Sequence, residues 1–457
     1  MRTRVVGVSV CVVALLVDPS LAGRSDGQGM AGQTPQSWLQ LRGGTDNSGA
    51  VSASLAADWR FTAPLPVRGI SVAEDLVLIG SESADAESKE PFGDERGFLA
   101  ALDAVTGRIR WGRSVATWIH GDPLVFNGRV YATLGRWPMT FPGGLVAVDI
   151  RNGRTIWSYS APAGFMPAAA IDSEARTITA LGGDGVLTTL ALSDGHVVAE
   201  AGTRNADGMS SPRMLRDGVA FFGAGDAVIS YSTRSRHQLW VYTTSGLRDF
   251  GDVPVAVSDS LIFTTGSRAI DPWRAARGLP LSEFLLLLRQ GRANIGISKF
   301  RSWFHEQWLI ALDRQTGRER WRAPLGIGLS IPRNQSGTPV IVGDRVIVSS
   351  PISKVVWAFA AESGRVIWRT KMSATHKGAV TIVPDGVLLG DAAGRITLLA
   401  LSTGQVLGSC STPAGFSVTA PLIVGSTLLA VTRDGAVYAE RYDRFRGHLL
   451  LKGSSCF

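Results

Sequence analysis

Apolar residues run through this chain in short stretches rich in β-branched and aromatic side chains, broken by Gly, Pro, Asn and Asp. That pattern predicts strands and tight turns. Pro123-Leu124-Val125-Phe126 reads as a strand, Asn127-Gly128 as a hairpin turn, and residues 129–133 as the returning strand. Residues 145–149 make a third strand, Asn152-Gly153 turns the chain again, and residues 155–158 make a fourth. A similar apolar stretch follows Pro167, Pro212, Pro254, Pro339 and Pro421, and proline at a strand's first residue forfeits no ladder donor.

The unit repeats. Ala101-Leu102-Asp103-Ala104-Val105-Thr106-Gly107 is followed by Trp111; Ala147-Val148-Asp149-Ile150-Arg151-Asn152-Gly153 by Trp157; Ala311-Leu312-Asp313-Arg314-Gln315-Thr316-Gly317 by Trp321. A fourth copy keeps Ala358, Gly364 and Trp368, with Ala360 in the Asp slot. Weaker copies put Ala199, Trp240, Gly408 and Leu449 at the Trp slot. The slots recur at a period slightly above 40 residues, the size of one four-stranded propeller blade and longer than a usual solenoid coil. The expected fold is all-β, an eight-bladed β-propeller of four-stranded antiparallel blades with each indole closing a seam to the next blade. The gap from 240 to 321 holds one period plus an insertion at residues 268–306, in blade five. Ser282 is read there as the cap of a short helix, with Glu283 at its N-terminal end, an apolar stretch at 284–288, and Arg289 and Arg292 at its C-terminal end. Trp273, Trp303 and Phe304 add aromatic surface, suited to docking a protein or an anionic membrane; the alternative is a helix folded back to plug the channel.

The pattern Ala-Leu-Asp-x-x-Thr-Gly-x-x-x-Trp resembles the PQQ-like repeat of quinoprotein alcohol dehydrogenases and of the BamB outer-membrane assembly lipoprotein family. Residues 38–61 resemble the lead-in of exported members. Trp59 looks like a Trp-slot residue without three strands before it, so residues 57–62 are expected to supply the outer strand of the last blade; residues 447–452 are the competing choice.

Composition adds an address. Arg2 and Arg4 precede an apolar run at residues 5–17, and Ser20-Leu21-Ala22 has the small residues of a cleavage site. Residues 1–22 read as a signal peptide, 23–56 as linker and lead-in, and 57–457 as the propeller of an exported, periplasmic or extracellular monomer; an uncleaved anchor is the alternative. Cys410 and Cys456 then remain, placed near blades seven and eight, and suit one disulfide, against two buried free thiols. The net charge is +8, but residues 268–306 carry seven basic and three acidic side chains while residues 81–97 carry six acidic and two basic. These are local loops, and no nucleic-acid motif accompanies them.

In such a blade the loops between second and third strands share one face with the loops between blades. All the long connections fall there: residues 81–97, the loop Arg136-Trp137-Pro138-Met139, and 268–306. Candidate small-ligand residues at the channel mouth are His120, Asp122, Asp249, Asp252, Arg333, Asn334, His376 and Lys377, with solvated loop side chains as the alternative. No adjacent cysteine pair, zinc or calcium spacing or phosphate loop is present. The reading is a non-catalytic scaffold for a protein partner or ligand, with no catalytic residue, metal or cofactor expected. A divergent quinoprotein oxidoreductase using PQQ and Ca²⁺ is the alternative, and a carbohydrate or small-ligand sensor the third.

Overall fold

A computed structural model describes Leu55 and residues 58–82, 96–136, 141–165, 169–203, 214–251, 253–294, 299–300, 303–331, 336–416, 419–451 and 453–457. The expected signal peptide, most of the linker, the acidic stretch 83–95 and residues 137–140 lie outside the described residues.

Eight four-stranded antiparallel sheets follow one another around a ring. Blade one is Val67–Ala73, Leu76–Glu82, Gly97–Asp103 and Ile109–Val115; blade two begins at Leu124–Phe126 and ends on Thr155–Ala161. The second and third strands are almost wholly buried, whereas outer strands such as Ile109–Val115 mix exposed and buried positions. This is the burial expected of sheets stacked face to face with only their outer edges wet.

The last blade joins both ends of the chain. Its inner strands are Leu422–Val424, Thr427–Val431 and Ala436–Arg441, and its outer strand is Trp59–Thr62, with Trp59 opposite Ala439 and Thr62 opposite Ala436. Residues 447–452 do not fill that role: Tyr442–Leu450 forms helix α3, so the eighth Trp slot belongs to Trp59, not Leu449.

The repeat's residues explain its turn. Asp103 Oδ1 accepts from the N–H groups of Val105 and Thr106 and from the Thr106 hydroxyl, and Gly107 follows at φ 66°. Pairing of third and fourth strands skips one residue beside the slot in blades one to seven, as between Ala101 and Leu102, a bulge that re-aims the side chain. Six seams are closed the same way. Trp59, Trp111, Trp157, Trp240, Trp321 and Trp368 lie on Gly107, Gly153, Gly195, Gly317, Gly364 and Gly404 of the following blade. Each indole N–H also donates to a main-chain carbonyl there, at 2.7–3.2 Å.

The other two seams differ from the expectation of an indole at every one. Between blades seven and eight the slot holds Gly408, where an added Cβ would stand 2.2 Å from the Leu449 carbonyl oxygen of α3. Blade eight takes its outer strand from the N-terminus, so it has no turn to receive an indole, and α3 lies there instead. Cys410 and Cys456 are disulfide-bonded at this seam, Cα–Cα 5.1 Å, and Phe445 and Leu449 are buried beside them. Between blades three and four the slot holds Ala199, opposite Thr189.

Candidate functional site

The face bearing the loops between blades holds a buried ionic trio. Glu82 ends the second strand of blade one, Arg68 comes from the first, and His120 from the loop entering blade two. The Glu82 carboxylate is fully buried, 2.6 Å from Arg68 Nε and 2.5 Å from His120 Nδ1. Burial alone would raise the Glu82 carboxyl, but the charges and hydrogen bonds of Arg68 and His120 bring it down to about 2. His120 Nε2, Trp118 Nε1 and Thr117 Oγ1 are buried beside this trio without a hydrogen-bond partner among the described residues. Sequence reading missed Glu82 and Arg68, which stand 14 residues apart and carry no motif.

The channel-mouth candidates are mostly drawn into the framework. His120 is held by Glu82, and buried Asp122 accepts the Ile70 N–H at 3.1 Å. Asp249, at φ 66°, accepts from the Ser267 hydroxyl. His376 is fully buried, and burial pushes its imidazole down to about 4 against a weaker upward pull from the Ala379 backbone. Lys377 is half-buried. Asp252, Arg333 and Asn334 lie outside the described residues. Among the described residues no three His, Cys, Asp or Glu side chains converge to hold a metal ion, and the two cysteines bond across 46 residues at the rim.

Blade five is the elaborated one. Its middle strands, Leu261–Ile270 and Phe304–Asp313, stay paired over ten residues out to Ile270 opposite Phe304, and carry the insertion beyond the blade. The insertion is two helices rather than one short one: α1, Pro272–Gly278, and α2, Leu281–Asn294. Asp271 caps α1 by accepting from the Arg274 N–H, with Pro272 at the first position. Ser282 lies inside α2, so it is not the cap, while Glu283 in its first turn pairs with Lys371 at 2.6 Å. Below them Glu306 receives both Arg268 and Arg274.

Phe284, Leu287 and Leu288 of α2 face inward, meeting Trp303, Phe304, Ile327 and Leu329. Ile327 and Leu329 belong to the outer strand Glu319–Leu329, so the insertion leans on the rim rather than plugging the channel. The opposite surface is apolar too. Trp273 is 77%, Leu281 72%, Leu285 54% and Leu286 53% exposed, with Arg277, Arg289 and Arg292 exposed alongside. An ordinary surface helix presents polar residues outward. No described helix is long and apolar enough to cross a membrane.

A family profile described as outer membrane protein assembly factor BamB matches residues 50–278 and 305–450. Tetrathionate hydrolase of Acidithiobacillus ferrooxidans is 23% identical over 72% of this chain and 66% of its own length, just under two thirds. The assembly factor BamB of Burkholderia pseudomallei is 24% identical over 65% of this chain and 80% of its own. Among solved structures, a quinohemoprotein alcohol dehydrogenase from Pseudomonas putida HK5 is 16% identical, with coverage of 74% and 63% and a TM-score of 0.50. That likeness is one of fold.

Proposed function

The chain belongs to the PQQ-like repeat family described as outer membrane protein assembly factor BamB, and from that premise we propose that it is an exported, non-catalytic scaffold that docks a protein partner. The contact surface is the blade-five insertion. The observation that carries this reading is the outward apolar face of α1 and α2. Residues 279–304, which include all of α2, lie outside the two segments that match the family. A large exposed apolar surface rimmed by arginines costs solubility, and a partner that covers it offsets that cost. The named assembly factors among its relatives support a protein partner of this general kind. Enzymatic readings rest on the names of relatives alone, at 23% identity for the hydrolase.

Site-specific photo-crosslinking in the native host tests the reading. A photoreactive residue at Trp273 or Leu285 should give one discrete adduct, and one at exposed Arg151, on a third-to-fourth-strand turn of blade two, should give none. Equal labelling from all three positions, or none from the insertion, contradicts it.

A further inference from the structure

At the seam between blades three and four, both members of the indole–glycine pair are replaced together. The Trp slot holds Ala199. On the facing turn of blade four, the position filled by Gly107, Gly153 or Gly317 in other blades holds Arg236, whose N–H donates to Ser232 as those glycines donate to their Asp. Arg236 keeps the left-handed backbone of the glycine it replaces, φ 60°. In the turn between the first two strands of blade three, Arg176 is also left-handed, φ 55°. Glu74, Asn127 and Asp217 are left-handed in the same turn of other blades, so the Arg176 backbone follows the fold, whereas Arg236 stands where other blades place glycine.

At this seam, which lacks the indole, a cleft of about 350 Å³ opens. Arg176, Arg234 and Arg236 line it, with Thr177, Thr233 and Ser193. Arg234 is paired with Glu174, and nearby Asp172 is engaged by the Thr233 hydroxyl and the Ala175 N–H. The Arg236 guanidinium donates to the Val198 carbonyl, at 3.3 Å, and among the described residues the Arg176 guanidinium has no hydrogen bond or ion pair, although its backbone carbonyl accepts from the Leu192 N–H. Two guanidinium groups thus border the cleft without a carboxylate partner. Thr177 Oγ1 is buried beside it with no hydrogen-bond partner among the described residues. Small apolar side chains, Ala175, Ala191 and Val198, complete the wall.

We infer that this seam is a binding site for a small oxyanion, recognised by the forked donors of Arg176 and Arg236. Loss of the plug made the room, and the same change at the facing turn supplied the charge. Carboxylate, sulfate and phosphate share the required chemistry, so the test uses succinate, inorganic sulfate and inorganic phosphate as separate titrants on the full mature chain at low ionic strength, read by calorimetry. One of them should bind saturably at one site, and the tightest identifies the head group. Arg176→Ala should weaken that binding about tenfold or more. The double variant Ala199→Trp, Arg236→Gly should rebuild the indole-on-glycine seam, abolish binding and keep or raise the unfolding temperature, whereas Arg151→Ala, on a turn of blade two, should bind as the parent does. No saturable binding of any titrant, or parental affinity in both cleft variants, overturns the inference.

Discussion

Trp111 rests on Gly153 of the next blade so closely that a Cβ added there would stand 2.5 Å from indole Cε3, while the indole N–H donates to Ile150 O at 2.7 Å. Gly153 is needed twice, for its φ of 69° and for the close approach. Gly153→Ala should therefore cost about 2 kcal/mol, read as a lower urea midpoint. An unchanged midpoint would mean that the seam gives way freely.

The seam between blades seven and eight depends on a covalent tie instead. Cys410 and Cys456 span 46 residues, and the loop-closure model gives such a cross-link about 4 kcal/mol. The double variant Cys410→Ser, Cys456→Ser should lose stability on that scale and become sensitive to limited proteolysis near α3. Equal protease resistance in the oxidised parent and the variant would argue against it.

His376 makes stability depend on pH. In the unfolded chain the imidazole takes a proton near 6.5, in the fold only near 4. The unfolded state binds more protons in that interval, so stability is full above about pH 6.5 and falls as the pH drops toward 4, by about 3 kcal/mol at most. His376→Phe should flatten that part of the stability curve. A variant with the parent's slope would place the titration elsewhere.

Glu82 acts at lower pH. Its carboxyl is depressed from 4.5 to about 2, so its contribution is present above about pH 4.5 and lost as pH falls through 2. Glu82→Gln removes the carboxylate from Arg68 and His120 and should cost about 3 kcal/mol at pH 7, with less acid dependence between pH 4.5 and 2. A variant as stable as the parent at pH 7 would show that the trio contributes nothing.

The repeat was legible because the Trp, the Gly and the Asp-x-x-Thr-Gly turn recur at fixed spacing in one dimension, and the structure keeps that spacing through the bulge beside the slot in blades such as one, two and five. The insertion was legible as a break in that alternation, but not as two helices, since Pro280 and Asp271 mark ends that the apolar stretch at 284–288 obscures. Leu449 falls one period after Gly408, which made residues 447–452 the competing choice for the last outer strand; it lies in α3, whose apolar side packs on the seam that lacks an indole. Neither the Arg68–Glu82–His120 trio nor the cleft was visible. The trio joins residues 14 and 38 apart, and the cleft is lined by Arg176 and Arg236 from different blades, a pairing that only the ring creates.

The insertion's place on blade five and the cleft between blades three and four both presuppose a ring shut by the N-terminal strand. Amide hydrogen exchange measures that closure. Asp58 N–H donates to Ala439 at 2.8 Å and Ala63 N–H to Gly435 at 3.0 Å, bracketing Trp59–Thr62. Amides from 58 to 63 that bond into blade eight should exchange as slowly as those of Ala436–Arg441, and both segments should lose protection in one transition. Exchange of 58–63 at the rate of an unprotected chain, with Ala436–Arg441 still protected, would contradict it.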